Sequence, residues 1–341
     1  MLIRSKAPLR ISFCGGGTDV QPYPRLHGGA VLSATVNRYT YCTLVPDSAP
    51  ELTVHSLDYR RSAVFGLHEA MPFDGDLDLF KAVFRRLPLE TGMRLFVHSD
   101  VPPGSGMGSS SALVVALIGA LWQLLHRRRD DYEIAQLAYE LEREDLGIAG
   151  GMQDQYSAAF GGFNFIEFNA DGVVVNPLRL HPDVLSELEY NLVLAYTGRT
   201  RLSGSIVGRQ IDAYTRGDAD VLGALAEIKD ITLAMKNALL KGRLQEFGGL
   251  LHTAWMAKKR VDGGISTPQI DELYAEARRL GALGGKILGA GGGGHMLFFV
   301  PYWRKHELTE RLTDLGASVV PFAFEQRGLH AWQVSDREAG S

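Results

Sequence analysis

The stretch Val101–Trp122, VPPGSGMGSSSALVVALIGALW, constrains this chain more than any other. Glycines at 104, 106 and 108 lack a Cβ, so the backbone can fold tightly there and turn several N–H groups toward one anion. Ser109, Ser110 and Ser111 stand where an apolar helix begins. A helix start offers unpaired amides and the positive end of the macrodipole, which suits the phosphates of a nucleotide. The P-loop is excluded, because it needs Lys and then Ser or Thr after its last glycine, and Gly108 is followed by Ser109. The plain alternative is a Gly/Ser turn capping a buried helix.

At 341 residues the chain exceeds the usual size of a single core, so two domains in close contact are expected. It is 45% hydrophobic and 22% charged, the balance of a soluble globular protein. A net charge of −4 provides no footprint for nucleic acid. The basic run His126–Arg129 meets Asp130 and Asp131 at once and reads as a solvated helix end. Two cysteines, Cys14 and Cys42, make neither a disulfide framework nor a metal-ligand pattern. The N-terminus has no apolar signal region, and the apolar run Ala112–Trp122 is too short to span a bilayer. A cytoplasmic protein without membrane partners is expected; oligomeric state, including a homodimer, is left open.

Strands are expected at Leu2–Ser12, Gly28–Tyr41, Arg94–His98, Phe163–Phe168 and Leu192–Tyr196. Helices are expected at 112–125, Tyr132–Glu144 and Asp154–Phe160, the second on the spacing of Ile134, Leu137, Ala138 and Leu141. A mostly helical region follows from about 203 to 281. Then come a strand at Leu297–Val300, a helix at Lys305–Leu315, and strands near Ser318–Phe324 and His330–Val334. This is an α+β pattern, divided near residue 185 into units 1–185 and 186–341.

Two further segments join the loop. In Glu142–Gly162, EREDLGIAGGMQDQYSAAFGG, Asp154 opens a helix after a glycine-bearing turn, and Glu142 closes the helix before it. Two such carboxylates can share phosphoryl transfer, one holding Mg²⁺ and one facing the acceptor hydroxyl. A simple N-cap role is the alternative for Asp154. In Gly284–Val300, Gly289, Gly291 and Gly294 match G-x-G-x-x-G, but His295–Val300 looks like a strand where that fingerprint needs a helix. The run Gly291–Gly294 instead implies close backbone approach, either to a ligand or to the phosphate loop.

PPGSGMGSSSA, the C-terminal GAGGGG and the N-terminal PLRISFCGGGTD together resemble, in order and spacing, the three motifs of the GHMP small-molecule kinases. The likeness covers essentially the whole chain. RISFCGGGTDVQPYP, GGMQDQYSAAFGGFNFIEF, YTGRTRLSG and LGALGGKILGAGGGGHMLFF are most similar to D-glycero-D-manno-heptose 7-phosphate kinases, and fucokinase- and galactokinase-like relatives share parts of them. The resemblance implies a ribosomal protein S5 domain 2-like N-terminal domain packed on a ferredoxin-like C-terminal domain. It implies ATP and Mg²⁺ as cofactors and a small sugar phosphate as substrate.

Carried onto this sequence, the resemblance implies that Pro103, Gly104, Ser105, Gly106, Met107, Gly108, Ser109, Ser110 and Ser111 cradle the triphosphate. Ser110 and Glu142 would hold Mg²⁺. Asp154 would act as base or orienting carboxylate, with Arg10 beside the reacting hydroxyl. Gly16, Gly17, Thr18, Asp19, Gly291 and Gly292 would border the substrate. Met107 replaces the usual leucine, a change that conserves volume. A substrate phosphate would need a further cation: Arg199, Lys258, Lys259, Arg260, Lys6 and Arg201 are the candidates, with exposed loop or helix-end roles as the alternative. His295 reads as a packed residue and not as a base. The rival readings are a kinase of a free sugar and a non-catalytic sugar- or nucleotide-binding relative.

Overall fold

The computed structural model describes residues 2–58, 60–200 and 204–334. An eight-stranded sheet holds β1 (Leu2–Cys14), β2 (Gly29–Asp47), β3 (Glu51–Ser56), β4 (Arg61–Gly66), β5 (Gly92–Ser99), β6 (Phe163–Asn169), β7 (Gly172–Pro177) and the closing strand β12 (His330–Val334). A four-stranded sheet, in the order β11-β8-β10-β9, holds β8 (Leu192–Tyr196), β9 (Gly284–Ile287), β10 (His295–Phe299) and β11 (Ser318–Val319). The helices of the first half are α1 (Tyr23–His27), α2 (Asp78–Arg86), α3 (Ser109–Leu124), α4 (Asp131–Glu140), α5 (Gln153–Phe160) and α6 (Pro182–Asn191). Those of the second half are α7 (Gly204–Thr215), α8 (Ala219–Leu240), α9 (Leu244–Val261), α10 (Pro268–Arg279) and α11 (Tyr302–Asp314).

β2 is long enough to serve two neighbours along one edge. Residues Gly29–Ala34 pair with β6, and Thr40–Asp47 pair with β5, while β1 runs antiparallel along the other edge. The β1 register slips at Pro8/Leu9, next to a residue with no N–H to give the ladder. α3 lies on β1 and β2 and is buried on nearly all sides, as its continuous apolar sequence requires. Ser5 Oγ donates to the Ala116 carbonyl at 2.6 Å and ties the strand to it. Its start at Ser109, three residues before the expected one, brings the serines into the first turn.

Several elements differ from the sequence expectation. The segment 51–86, left unassigned, forms β3, β4 and α2, and β7 and α6 were also unforeseen. The strand expected at Ser318–Phe324 reduces to Ser318–Val319 and a single bridge from Phe324 to Val36. The α4 periodicity stops at Glu140 and a π-turn, Leu141–Asp145, continues it. The basic run before α4 does end at a cap: Asp130 Oδ1 accepts from the amides of Tyr132 and Glu133. We keep units 1–185 and 186–341 as a proposed division, with β12 crossing back to pair antiparallel with β1. Among the described residues no helix is long and apolar enough to cross a membrane.

Candidate active site

Gly104, Gly106 and Gly108 have φ of +73°, +85° and +75°, the left-handed region that excludes most side chains. Gly108 is the N-cap of α3, and no side chain caps the helix, so its first-turn amides face outward unpaired. They open into a cleft of about 930 Å³, a volume suited to small-molecule ligands. Pro103, Gly104, Gly106, Gly108, Ser109, Ser110 and Ser111 border it. Ser105 and Met107 do not: both side chains are fully buried, and they act through their carbonyls. An uncapped helix start and a glycine loop facing a cleft fit the phosphates of ATP.

The second glycine segment grips this loop. A Cβ at Gly106 would lie 2.6 Å from the Leu288 carbonyl oxygen, and one at Gly294 would lie 2.4 Å from the Ser105 oxygen. His295 approaches the same Ser105 oxygen twice, through its amide at 3.0 Å and Nδ1 at 2.9 Å. The approach of the glycine run is therefore to the phosphate loop, and His295 is a buried anchor whose pKa burial lowers. Gly291 borders the cleft, whereas the Gly292 amide bonds the Ile265 carbonyl and Gly292 stays outside the lining.

Beside the loop, Asp154 on the first turn of α5 meets Arg10 on β1. Arg10 Nε and Nη2 donate to Asp154 Oδ1 at 2.8 and 2.7 Å, and Nη1 donates to the Gly106 carbonyl at 2.6 Å. Arg10 is 3% exposed, and the Asp154 side chain keeps 21%. A Cβ at Gly108 would sit 3.2 Å from Asp154 Cγ. The carboxylate thus lies directly beside the glycine loop on the wall of the cleft.

The π-turn places Glu142 on the cleft wall at 1% exposure. Gln155 Nε2 donates both to Glu142 Oε2 and to Ser111 Oγ. Burial pushes the Glu142 carboxyl pKa up, against the opposing charge of Arg143 and hydrogen bonds from Ser111 and Gln155. Among the described residues no cluster of three His, Cys, Asp or Glu side chains could hold a metal by itself. A hydroxyl at Ser110 and a carboxylate at Glu142 are hard oxygen donors, which fit a Mg²⁺ that keeps phosphate and water oxygens as its other ligands.

At the other end, the Gly17 amide donates to Asp19 Oδ1 at 2.9 Å, while the Gln153 amide and Nε2 donate to Oδ2 at 3.1 and 3.0 Å. Gly16, Gly17 and Asp19 border the cleft, whereas Thr18 ties the turn internally to Gly15 and Ala30. The candidate cations separate. Lys258 is 7% exposed on the cleft wall, so it is no solvated helix end. Lys259 and Arg260 pair outward with Asp271 and Glu227. Arg199 is exposed and does not border the cleft, Lys6 lies over the Tyr39 ring beside a separate cavity, and Arg201 lies outside the described residues. Sequence reasoning missed Gln153, Gln210, Arg143 and the apolar end of the cleft at Phe73, Leu77, Leu79 and Val97.

Known proteins share this family and fold. The GHMP kinases N terminal domain model matches residues 77–162, and the GHMP kinases C terminal model matches 235–314. The chain is 39% identical, over 97% of its length and 99% of the relative's, to the D-glycero-alpha-D-manno-heptose 7-phosphate kinase of Campylobacter jejuni. It superposes on the crystal structure of a D-glycero-D-manno-heptose 1-phosphate kinase from Bacteroides thetaiotaomicron with a TM-score of 0.82 at 35% identity, covering 98% and 100% of the two chains. The galactokinase of Lactococcus lactis shares the fold, with a TM-score of 0.77 at 21% identity and 98% and 95% coverage. The α+β two-domain fold and the cleft define a small-molecule kinase. The chain belongs to the GHMP kinases and is an ATP-dependent phosphotransferase.

Proposed function

We propose that this kinase transfers the γ-phosphate of ATP to the anomeric hydroxyl of D-glycero-D-manno-heptose 7-phosphate, giving the 1,7-bisphosphate, in the cytoplasm. The observation that carries the reaction type is the Arg10–Asp154 pair held against the glycine loop on the wall of one cleft. Near-full-length identity to a heptose 7-phosphate kinase supports the choice of sugar.

Phosphoryl transfer asks a protein mainly for alignment and charge stabilisation. The amides of 104–111 receive the triphosphate, and Arg10 steadies charge near the transferred group. Asp154 receives the acceptor hydroxyl and takes its proton as that oxygen bonds the γ-phosphorus and the bond from phosphorus to the β,γ-bridging oxygen breaks, with ADP leaving. An anomeric hydroxyl is more acidic than an ordinary alcohol, so a modest base suffices. Ser110 and Glu142 hold Mg²⁺, which supplies neutralisation of the phosphates. Asp19, Gly16, Gly17 and Lys258 border the sugar.

The test is a panel of ATP with heptose 7-phosphate, free heptose, fucose and galactose, read by ADP release and ³¹P NMR. Turnover of heptose 7-phosphate with a new anomeric phosphate signal is expected. Turnover of a free hexose with none on heptose 7-phosphate contradicts the choice of sugar, and nucleotide binding without turnover of any sugar contradicts catalysis.

A further inference from the structure

Two lysines, one on the wall of the cleft and one behind it, are buried with no ion pair among the described residues. Lys258 on α9 and Lys286 on β9 are 7% and 4% exposed, and among the described residues neither makes an ion pair. Each gives one N–H to a main-chain carbonyl of the β1 end: Lys258 Nζ to Gly16 at 3.1 Å, Lys286 Nζ to Ser12 at 2.6 Å. An ammonium has three donors, so each keeps two. Burying such a charge alone is costly.

The surroundings do not balance it. Burial raises the pKa of the neighbouring Cys14 thiol and so keeps it neutral. Asp19 acts on both lysines by its charge, but its carboxylate accepts hydrogen bonds from Gly17 and Gln153. Arg10 adds a third positive charge. Lys286 responds with a pKa pushed down to about 7, by burial first and by Lys258 second.

The backbone leaves a cradle beside this pair. A Cβ at Gly16 would lie 3.2 Å from Gln153 Nε2, 3.6 Å from Lys258 Nζ and 3.8 Å from Ser12 Oγ. The Ser12 hydroxyl is buried and has no hydrogen-bond partner among the described residues. These polar groups therefore converge around Gly16, which borders the cleft and has no side chain to cover them.

We propose that Lys258, backed by Lys286, forms an anion subsite at Gly16 that takes a phosphate oxygen during the reaction. The choice of phosphate rests on the kinase reading above. Two phosphates can supply that oxygen: the one the acceptor already carries, or the phosphoryl group in transfer. Lys258 touches the anion, and Lys286 is a positioning residue that adds charge from behind and holds the strand end.

The experiment compares wild type with Lys258→Met and Lys286→Met. Calorimetry measures heptose 7-phosphate binding in the presence of a non-hydrolysable ATP analogue, and kcat and KM are taken with heptose 7-phosphate and with free heptose. Lys258→Met is expected to change one of these at least tenfold, and Lys286→Met at least threefold in the same direction. Weaker binding confined to the phosphorylated acceptor assigns the subsite to the acceptor's phosphate. A fall in kcat on both acceptors, with binding unchanged, assigns it to the group in transfer. The melting temperature of each unliganded variant is expected to hold or rise, because an uncompensated buried charge has gone.

A parallel measurement needs no sugar: inorganic phosphate is expected to raise the melting temperature of the wild-type ADP complex, and Lys258→Met to abolish that rise. Unchanged phosphate protection in Lys258→Met, or binding and kcat within twofold of wild type, overturns the subsite even where heptose 7-phosphate is turned over. A fall of the melting temperature accompanying every loss overturns it in favour of a structural role. If no heptose is turned over, the phosphate measurement still decides the subsite and only the choice of sugar fails.

Discussion

Arg10 presents two nitrogens to Asp154, and both meet the same oxygen, Oδ1, at 2.8 and 2.7 Å. Among the described residues Oδ2 receives no protein donor, and it lies 3.4 Å from where a Gly108 Cβ would stand. One oxygen orients the carboxylate while the other faces the phosphate loop. This division of labour suits a group that must receive a hydroxyl proton without drifting.

Replacing Asp154 by Asn keeps the shape and removes the base. We expect kcat to fall about 10²–10⁴-fold, the range for a positioned acid or base. Binding of an ATP analogue, measured by calorimetry, should stay within a few-fold of wild type, since the loop amides remain.

Gly294 joins the two glycine segments at φ +98°, with no room for a Cβ beside the Ser105 carbonyl. Gly294→Ala should lose roughly 1–3 kcal/mol of stability through backbone strain. The displaced phosphate loop should raise the KM for ATP more than that for sugar. Urea unfolding and steady-state kinetics check both effects.

Glu142 is buried and its pKa is raised despite the Gln155 donor and the nearby Arg143 charge, so holding it ionised on the wall costs stability until a cation binds. Glu142→Gln should leave the melting temperature equal or higher while raising the Mg²⁺ concentration for half-maximal turnover by about 10–100-fold. Chelation of divalent ions should abolish turnover of the wild type. A magnesium titration of both proteins measures the shift.

Lys286 makes stability depend on pH with a defined sign. Its folded pKa of about 7 lies below the ordinary lysine value of 10.5, so between them the unfolded chain holds the extra proton. Stability attributable to this group is therefore lowest below pH 7 and rises with pH. The unfolding free energy of wild type relative to Lys286→Met should increase by on the order of 2 kcal/mol from pH 7 to 9. Parallel denaturant titrations at the two pH values supply the difference.

The loop, α3 and the first two strands were legible because their signals are local: glycine where φ is positive, serine at a helix start, unbroken apolar runs. The β1–β12 pairing was not, since it joins Leu2 to Val334 and no local pattern encodes such a partner. The π-turn broke the α4 periodicity at Glu142, the carboxylate proposed to hold Mg²⁺, and such insertions gather at functional sites. Lys258 was obscured by the charge run KKR, yet Phe247, Leu251, Trp255 and Lys258 follow one helical stripe, and all four are buried. That stripe was the available signal. Lys286 sits between Gly285 and Ile287 on a fully buried strand, where a lone lysine in an apolar run marks a buried charge. Phe73, Leu77 and Leu79 at the apolar end of the cleft went unread because segment 51–86 mixes short strands, a proline and aspartates without a sustained period.

The most direct measurement is a crystal structure with a non-hydrolysable ATP analogue, Mg²⁺ and heptose 7-phosphate. The account predicts the triphosphate on the amides of 104–111 and the anomeric oxygen at about 2.6–3.2 Å from Asp154 Oδ2, in line with the γ-phosphorus. An acceptor hydroxyl seated away from Asp154, or a triphosphate bound elsewhere than the glycine loop, would contradict it.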